Sequence, residues 1–443
     1  MKNATWMWSL GAALLLTACP DPGTDPNPNP NPDPGGGSTI TVAGKVLTGD
    51  GQPIEGASIL IPGNGRQAVA LDSTGSFSIE GVTAPYDVIV VQRALRSATV
   101  YKGLSRRDPT LPVITDAEET DGRKATLAGT VTGGSTPYND DVPTNVEFVS
   151  ANGSGGTEVD PEGTYSTEVN WNGSSSITGS LFAIQLESSS PFLPPTGYLG
   201  YGRRDNVTLN AGTTASAIDV AMNSVTSARL AGTITAPTDY ELAMISVGLA
   251  PEQNINVNLF RAFETSSAFD YMVPEIPQST LSMEVMAVKG DVSNPENAST
   301  SILYKKGLTA GTSNAALVLQ EPSRQGQPAD GATVVSRTTE FSWTAFTGGI
   351  HLVQFEEKEP AAETSPYKVS VFTSGTQTTL PDLSTVDMGL PASTRFTWRV
   401  QGFAPVASMN ALSDLSLANP ILGTTDFALS TSEARTFTTS AAP

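Results

Sequence analysis

The chain has 443 residues, too many for one hydrophobic core, so several domains are expected. Hydrophobic residues make up 38% and charged ones 15%, a mixture rich in Ser, Thr, Gly and Pro that suits short strands and turns and leaves little material for helices. The formal net charge of −20 argues against nucleic acid or anionic lipid headgroups as partners, and the single cysteine excludes a disulfide within the chain. The expected class is all-β, built as tandem antiparallel β-sandwiches.

Met1-Lys2 gives a short positive start, and an apolar run through Leu10, Leu14, Leu15 and Leu16 follows. That run is too short to span a bilayer and reads as a secretory signal. It ends in Leu16-Thr17-Ala18-Cys19, which resembles the bacterial lipobox at all four positions. The resemblance implies that residues 1–18 are a signal peptide cut before Cys19, and that acyl chains on Cys19 bind membrane lipid. Each buried methylene adds about 0.8 kcal/mol, so several chains hold a protein on a membrane almost permanently. The competing reading is an ordinary signal peptide with a chance cysteine. The only cysteine falls where the motif requires one, which favours the lipobox. Residues 19–38 alternate proline with Asp and Asn and end in Gly35-Gly36-Gly37. Polyproline II geometry, at about 3.1 Å per residue, makes this a stalk reaching roughly 45 Å, with a glycine swivel. The same geometry splays its acids apart, so no metal site is expected there.

A short strand then appears three times: Val42-Ala43-Gly44-Lys45-Val46, Leu127-Ala128-Gly129-Thr130-Val131 and Leu230-Ala231-Gly232-Thr233-Ile234. With a side-chain period of two, the aliphatic residues and the glycine share one face. A glycine on the inward face of a strand marks close approach of another backbone. An aromatic residue follows each opener glycine after 33, 36 and 37 residues, at Phe77, Tyr165 and Phe269. Three related modules are expected, at 39–122, 123–226 and 227–321. In the first, Gly51-Gln52-Pro53-Ile54 and Asp72-Ser73-Thr74-Gly75-Ser76-Phe77 precede the strand Asp87-Val88-Ile89-Val90-Val91. This order resembles the carboxypeptidase regulatory-like domain, a transthyretin-like sandwich, which implies an accessory spacer or binding unit without catalysis. Asp160-Pro161-Glu162-Gly163-Thr164-Tyr165 repeats the frame in the second module, whereas the third lacks the aspartate and glycine. Each module closes on a basic echo: Arg106-Arg107-Asp108, Arg203-Arg204-Asp205 and Lys305-Lys306. Either these grip an anionic polymer or their arginines pair with local aspartates or with the next module; the second reading is favoured.

From residue 322 to 443 the pattern changes. Phe341-Ser342-Trp343, Tyr367-Lys368-Val369 and Phe396-Thr397-Trp398 alternate as half-buried strands. Together with Leu390 and Val400 this stretch resembles a fibronectin type III-like sandwich, although Phe396 has no hydroxyl for the corner hydrogen bond and Pro391 sits one position early. Met409, Leu412 and Leu415 allow one short helix within 405–423.

Chemistry is thinly provided for. His351 is the only histidine, on an expected strand, so histidine- or cysteine-based zinc sites and Cys-His pairs are excluded. Ser365-Pro366-Tyr367-Lys368 matches a Ser-x-x-Lys motif whose companion motifs are missing. No cofactor, metal site or catalytic residue is expected. Sugar stacking wants an open aromatic face; Trp171, within Asn170-Trp171-Asn172-Gly173, and Tyr138 are the candidates. Trp171 shares strand parity with Tyr165 and Val169, which favours a core plug over a platform. The expected protein is a monomer, lipid-anchored in a bacterial cell envelope, at the outer membrane or the cell surface. It acts as a structural or adhesive element strung out as beads on a line, with envelope proteins or polysaccharide as partners. A glycan-binding lipoprotein is the alternative and a hydrolase the remote one.

Overall fold

The computed structural model describes residues 39–48, 51–54, 56–63, 67–113, 122–151, 153–187, 193–252, 255–263, 266–291, 298–360, 364–413 and 425–441. The protein is all-β, with several sheets packed as tandem β-sandwiches and, among the described residues, one short α-helix, Met409–Leu412. It divides into two compact units, one of Met1–Thr115, Ser323–Ala418 and Thr431–Pro443, the other of Asp116–Pro322 and Asn419–Ser430.

The three openers lie on the strands Ile40–Thr48, Arg123–Thr132 and Thr226–Thr235, and each is built into its module in the same way. On one side runs an antiparallel strand carrying the aromatic residue; on the other side the pairing is parallel. The register sets glycine against ring every time: Gly44 opposite Phe77, Gly129 opposite Tyr165 and Gly232 opposite Phe269. The parallel partners are Thr110–Val113, then Thr214–Ala215 with Val220–Ala221, then Ala315–Val318. A Cβ on any of the three glycines would collide with a carbonyl of the parallel segment, that of Pro109, Ile218 or Ala315. The glycine is therefore what lets the closing segment approach. The turn before the aromatic is equally specific. Asp72 Oδ1 accepts from the Thr74 and Ser76 N–H groups at 2.8 and 2.9 Å, and Gly75 takes φ +74°. Gly75 O and Gly163 O accept from Val46 N and Val131 N, and in the third module Ser267 O accepts from Ile234 N without the Asp-Gly turn.

In the first unit, the first and fourth modules are joined edge to edge. Ser97–Leu104 of the first pairs in parallel with Lys368–Thr373 of the fourth, Ser97 opposite Lys368 and Tyr101 opposite Phe372. Leu60, Ile89, Val91 and Val100 share one apolar core with Val353, Phe355 and Trp398. Arg96 reaches Glu357 at 2.9 Å, and Asn410 on the short helix accepts from Ser105 N at 2.9 Å. Modules strung as separate beads would pair only with their sequence neighbours; here the first takes the last. The centre of the fourth module is Phe341, whose ring lies 4.7, 5.1 and 5.2 Å from those of Phe355, Trp398 and Phe437. Phe396 is buried, and Tyr367, whose ring meets it edge-on at 5.9 Å, donates from its hydroxyl to Met388 O at 3.0 Å.

In the second unit, the second module has its own core around Leu127, Phe148 and Leu181. The outward face of its strand Ser176–Glu187 carries Phe182, Ile184 and Leu186, which join Val247, Leu259 and Val285 in the third module's core. The strand Phe427–Thr431 lies beside Ser299–Leu308. No helix among the described residues is long and apolar enough to cross a membrane.

Candidate functional site

Each side chain singled out for chemistry is used by the fold. His351, on Ile350–Glu357, is 1% exposed; its Nε2 accepts from Phe346 N at 3.0 Å and its ring meets Trp343 edge-on at 5.6 Å. Burial holds its pKa below 6.5, so the neutral imidazole serves as a main-chain acceptor. Lys368 of the Ser-x-x-Lys motif pairs with Glu356 at 3.2 Å, and Ser365 is bound through its carbonyl by Arg96 at 2.8 Å. The lipobox residues Leu16, Thr17, Ala18 and Cys19, the signal run before them and the Pro-rich stalk after them lie outside the described residues.

The two sugar-stacking candidates require correction. Trp171 is 3% exposed and donates from Nε1 to Ser174 O at 2.8 Å; Tyr138 is 4% exposed and donates to Gly133 O at 2.8 Å. Neither ring has a face open to a sugar, because strand parity turns Trp171 into the core and the turn around Gly163 closes over Tyr138. One cation of each basic echo is held in an ion pair. Arg106 meets Asp108 at 3.0 Å, Arg203 meets Asp205 at 2.5 Å and Glu252 at 2.7 Å, and Lys305 meets Asp426 at 2.7 Å. Arg203 also lies over the Phe182 ring at 5.5 Å. Cations already neutralised this way make a poor grip for an anionic polymer.

The two carboxyls whose pKa burial raises sit elsewhere, on the third module and its border with the second. Four residues form one row across the sheet of the third module: Arg261, Ser246, Glu284 and Tyr304. Tyr304 OH donates to Glu284 Oε1 at 3.0 Å. Burial raises the Glu284 pKa against the opposing effects of that bond, Arg261 and Lys306. Burial lowers that of Lys306, against Glu284 and Asp426. An acid, a phenol and an amine so arranged could relay a proton, yet none of them lines the cleft of about 470 Å³ between Ile234, Ala236, Tyr240, Glu241, Leu242 and Ser267. Glu147, on the second module at its border with the third, is the other; burial takes its pKa from 4.5 to about 7. No group of three or more metal-ligating side chains occurs among the described residues. Sequence reasoning passed over both acids. The available signal was Glu147 between Val146 and Phe148, and Glu284 inside Met283-Glu284-Val285-Met286, each a charge interrupting an apolar strand.

No known family profile matches the chain, and no curated protein matches it either. Among solved structures, a DUF3823 family protein from Parabacteroides merdae is 10% identical, with 38% of this chain and 92% of that one covered and a TM-score of 0.14. The Bacillus anthracis TIE protein is 11% identical, covering 63% of this chain and 50% of its own, with a TM-score of 0.15. A Salmonella alpha-2-macroglobulin mutant is 11% identical over 91% of this chain and 28% of its own, with a TM-score of 0.12.

Proposed function

We propose that this chain is a lipoprotein of a bacterial cell envelope, anchored through acylated Cys19 and carried on the Pro-rich stalk. Its modules, three similar to carboxypeptidase regulatory-like domains and one to fibronectin type III-like domains, act as a structural or adhesive element without catalysis. The observation that carries the reading is the single cysteine standing fourth in Leu16-Thr17-Ala18-Cys19. The commitment of His351, Lys368, Trp171 and Arg203 to structural bonds supports the non-catalytic part. The test is labelled-palmitate incorporation in a bacterial host, followed by a pull-down from intact envelopes. Label in the wild type and none in Cys19→Ser is expected; label that survives the substitution overturns the anchor. Turnover of esterase or glycosidase substrates by the purified mature protein would overturn the non-catalytic role.

A further inference from the structure

Four modules built on two different sequence frames close in one way. The strand by which the chain enters a module lies beside the segment by which it leaves, and the two run parallel. Val46 stands opposite Leu111 in the first module, Val131 opposite Val220 in the second and Ile234 opposite Leu317 in the third. In the fourth, Ala332–Val335, its first strand among the described residues, runs parallel to Arg435–Thr439, with Ala332 opposite Phe437. Main-chain bonds tie each pair: Lys45 N to Pro109 O at 2.9 Å, Met222 N to Thr132 O at 2.8 Å, Leu319 N to Thr235 O at 3.0 Å and Ser440 N to Val335 O at 2.9 Å. The three aliphatic pairs and Phe437 are buried. The third module lacks the Asp-Gly turn and still has this closure, glycine included.

Parallel neighbours put the entry and exit of the chain at opposite ends of the paired stretch. Tension on the chain therefore drags the two strands past each other along their length. Their hydrogen bonds run across the strands, so all are strained together. An antiparallel pair would put both ends on one side and part bond by bond. Sliding by one residue would also turn each buried aliphatic pair toward the opposite face.

We infer that these closures are tension-bearing clamps, so that the chain carries mechanical load along its length. The inference deepens the structural or adhesive reading and rests on it for its use in the envelope.

The third module tests it in the full-length Cys19→Ser protein, held by handles on two introduced cysteines in a single-molecule force experiment. Thr226→Cys with Val318→Cys pulls along the pair, from the start of one strand to the end of the other. Thr235→Cys with Val318→Cys pulls across it, since Thr235 stands opposite Val318. All three positions are exposed. At one constant force the module is expected to unfold at least about tenfold more slowly when pulled along the pair. Equal lifetimes, or a shorter one along the pair, overturn the inference. No membrane enters this measurement, so its failure is distinct from that of the anchor: a weak clamp leaves palmitate label on Cys19 unchanged, and a missing label leaves the clamp standing.

Discussion

The two units join their modules by different means. Between the first and fourth modules the contact is main-chain pairing over a shared apolar core, with Ser97 to Tyr101 laddered against Lys368 to Phe372 and Arg96 on Glu357 beside the ladder. Between the second and third the core is also shared, but side chains hold the rim: Glu147 on Asn258 N and Arg203 on Glu252. A main-chain ladder is indifferent to pH, whereas a half-buried carboxyl is not. The lone histidine sharpens the contrast. Glu147 has a folded pKa above its unfolded value, so its contribution is full below pH 4.5 and lost as pH rises through about 7. His351 has a folded pKa below 6.5, so its contribution is present above that pH and lost as pH falls through the folded value. Through these two groups, acid weakens the unit holding the first and fourth modules, and alkali the unit holding the second and third.

The largest expected effect comes from the aromatic centre. Trp398→Ala, which empties the place beside Phe341 and Phe355, should cost about 3–5 kcal/mol in chemical denaturation. Because Ser97–Leu104 leans on the fourth module, the first should lose structure in the same transition while the second unit keeps its own. Independent melting of the first module would break the comparison. Trp171→Ala should cost a similar ~3–5 kcal/mol in the second unit and leave retention on a glycan array unchanged. Gly232→Ala pushes a methyl against the Ala315 carbonyl and should cost about 1–3 kcal/mol, confined to the third module. Raising the pH from about 5.5 to about 8.5 should lower the stability of the second unit by about 2 kcal/mol through Glu147, a loss that Glu147→Gln abolishes, as paired melts would show. Smallest is Arg203→Ala: its partner Glu252 is 48% exposed, so a change of roughly 0.2–1 kcal/mol is expected, shrinking further in salt.

Much of the architecture was legible because it is local. Alternation in the openers, the fixed distance from glycine to ring and the Asp-x-x-Gly turn are short-range patterns, and the third copy keeps the pairing of Gly232 with Phe269 after losing the turn residues. Local pairing of the arginines was readable for the same reason, since Arg106 and Asp108 are two residues apart. The union of the first and fourth modules was not. Ala98 and Val371 look like any inward strand residues, and nothing in either strand names its partner. The shifted acids escaped for a related reason. Strand parity put Glu147 and Glu284 on outward faces, and whether an outward face is covered depends on what packs there.

The parallel ladder also bears on how the chain comes off the ribosome. Ser97–Leu104 is made about 270 residues before its partner Lys368–Thr373, an interval on the order of 15–50 s at ordinary rates of synthesis. Throughout it, Ser97–Leu104 stands without that partner, an apolar strand edge of the sort that seeks other chains. A truncated product ending before residue 368 would keep that edge for good, so nonsense mutations late in the gene should yield aggregates in place of shortened, working protein.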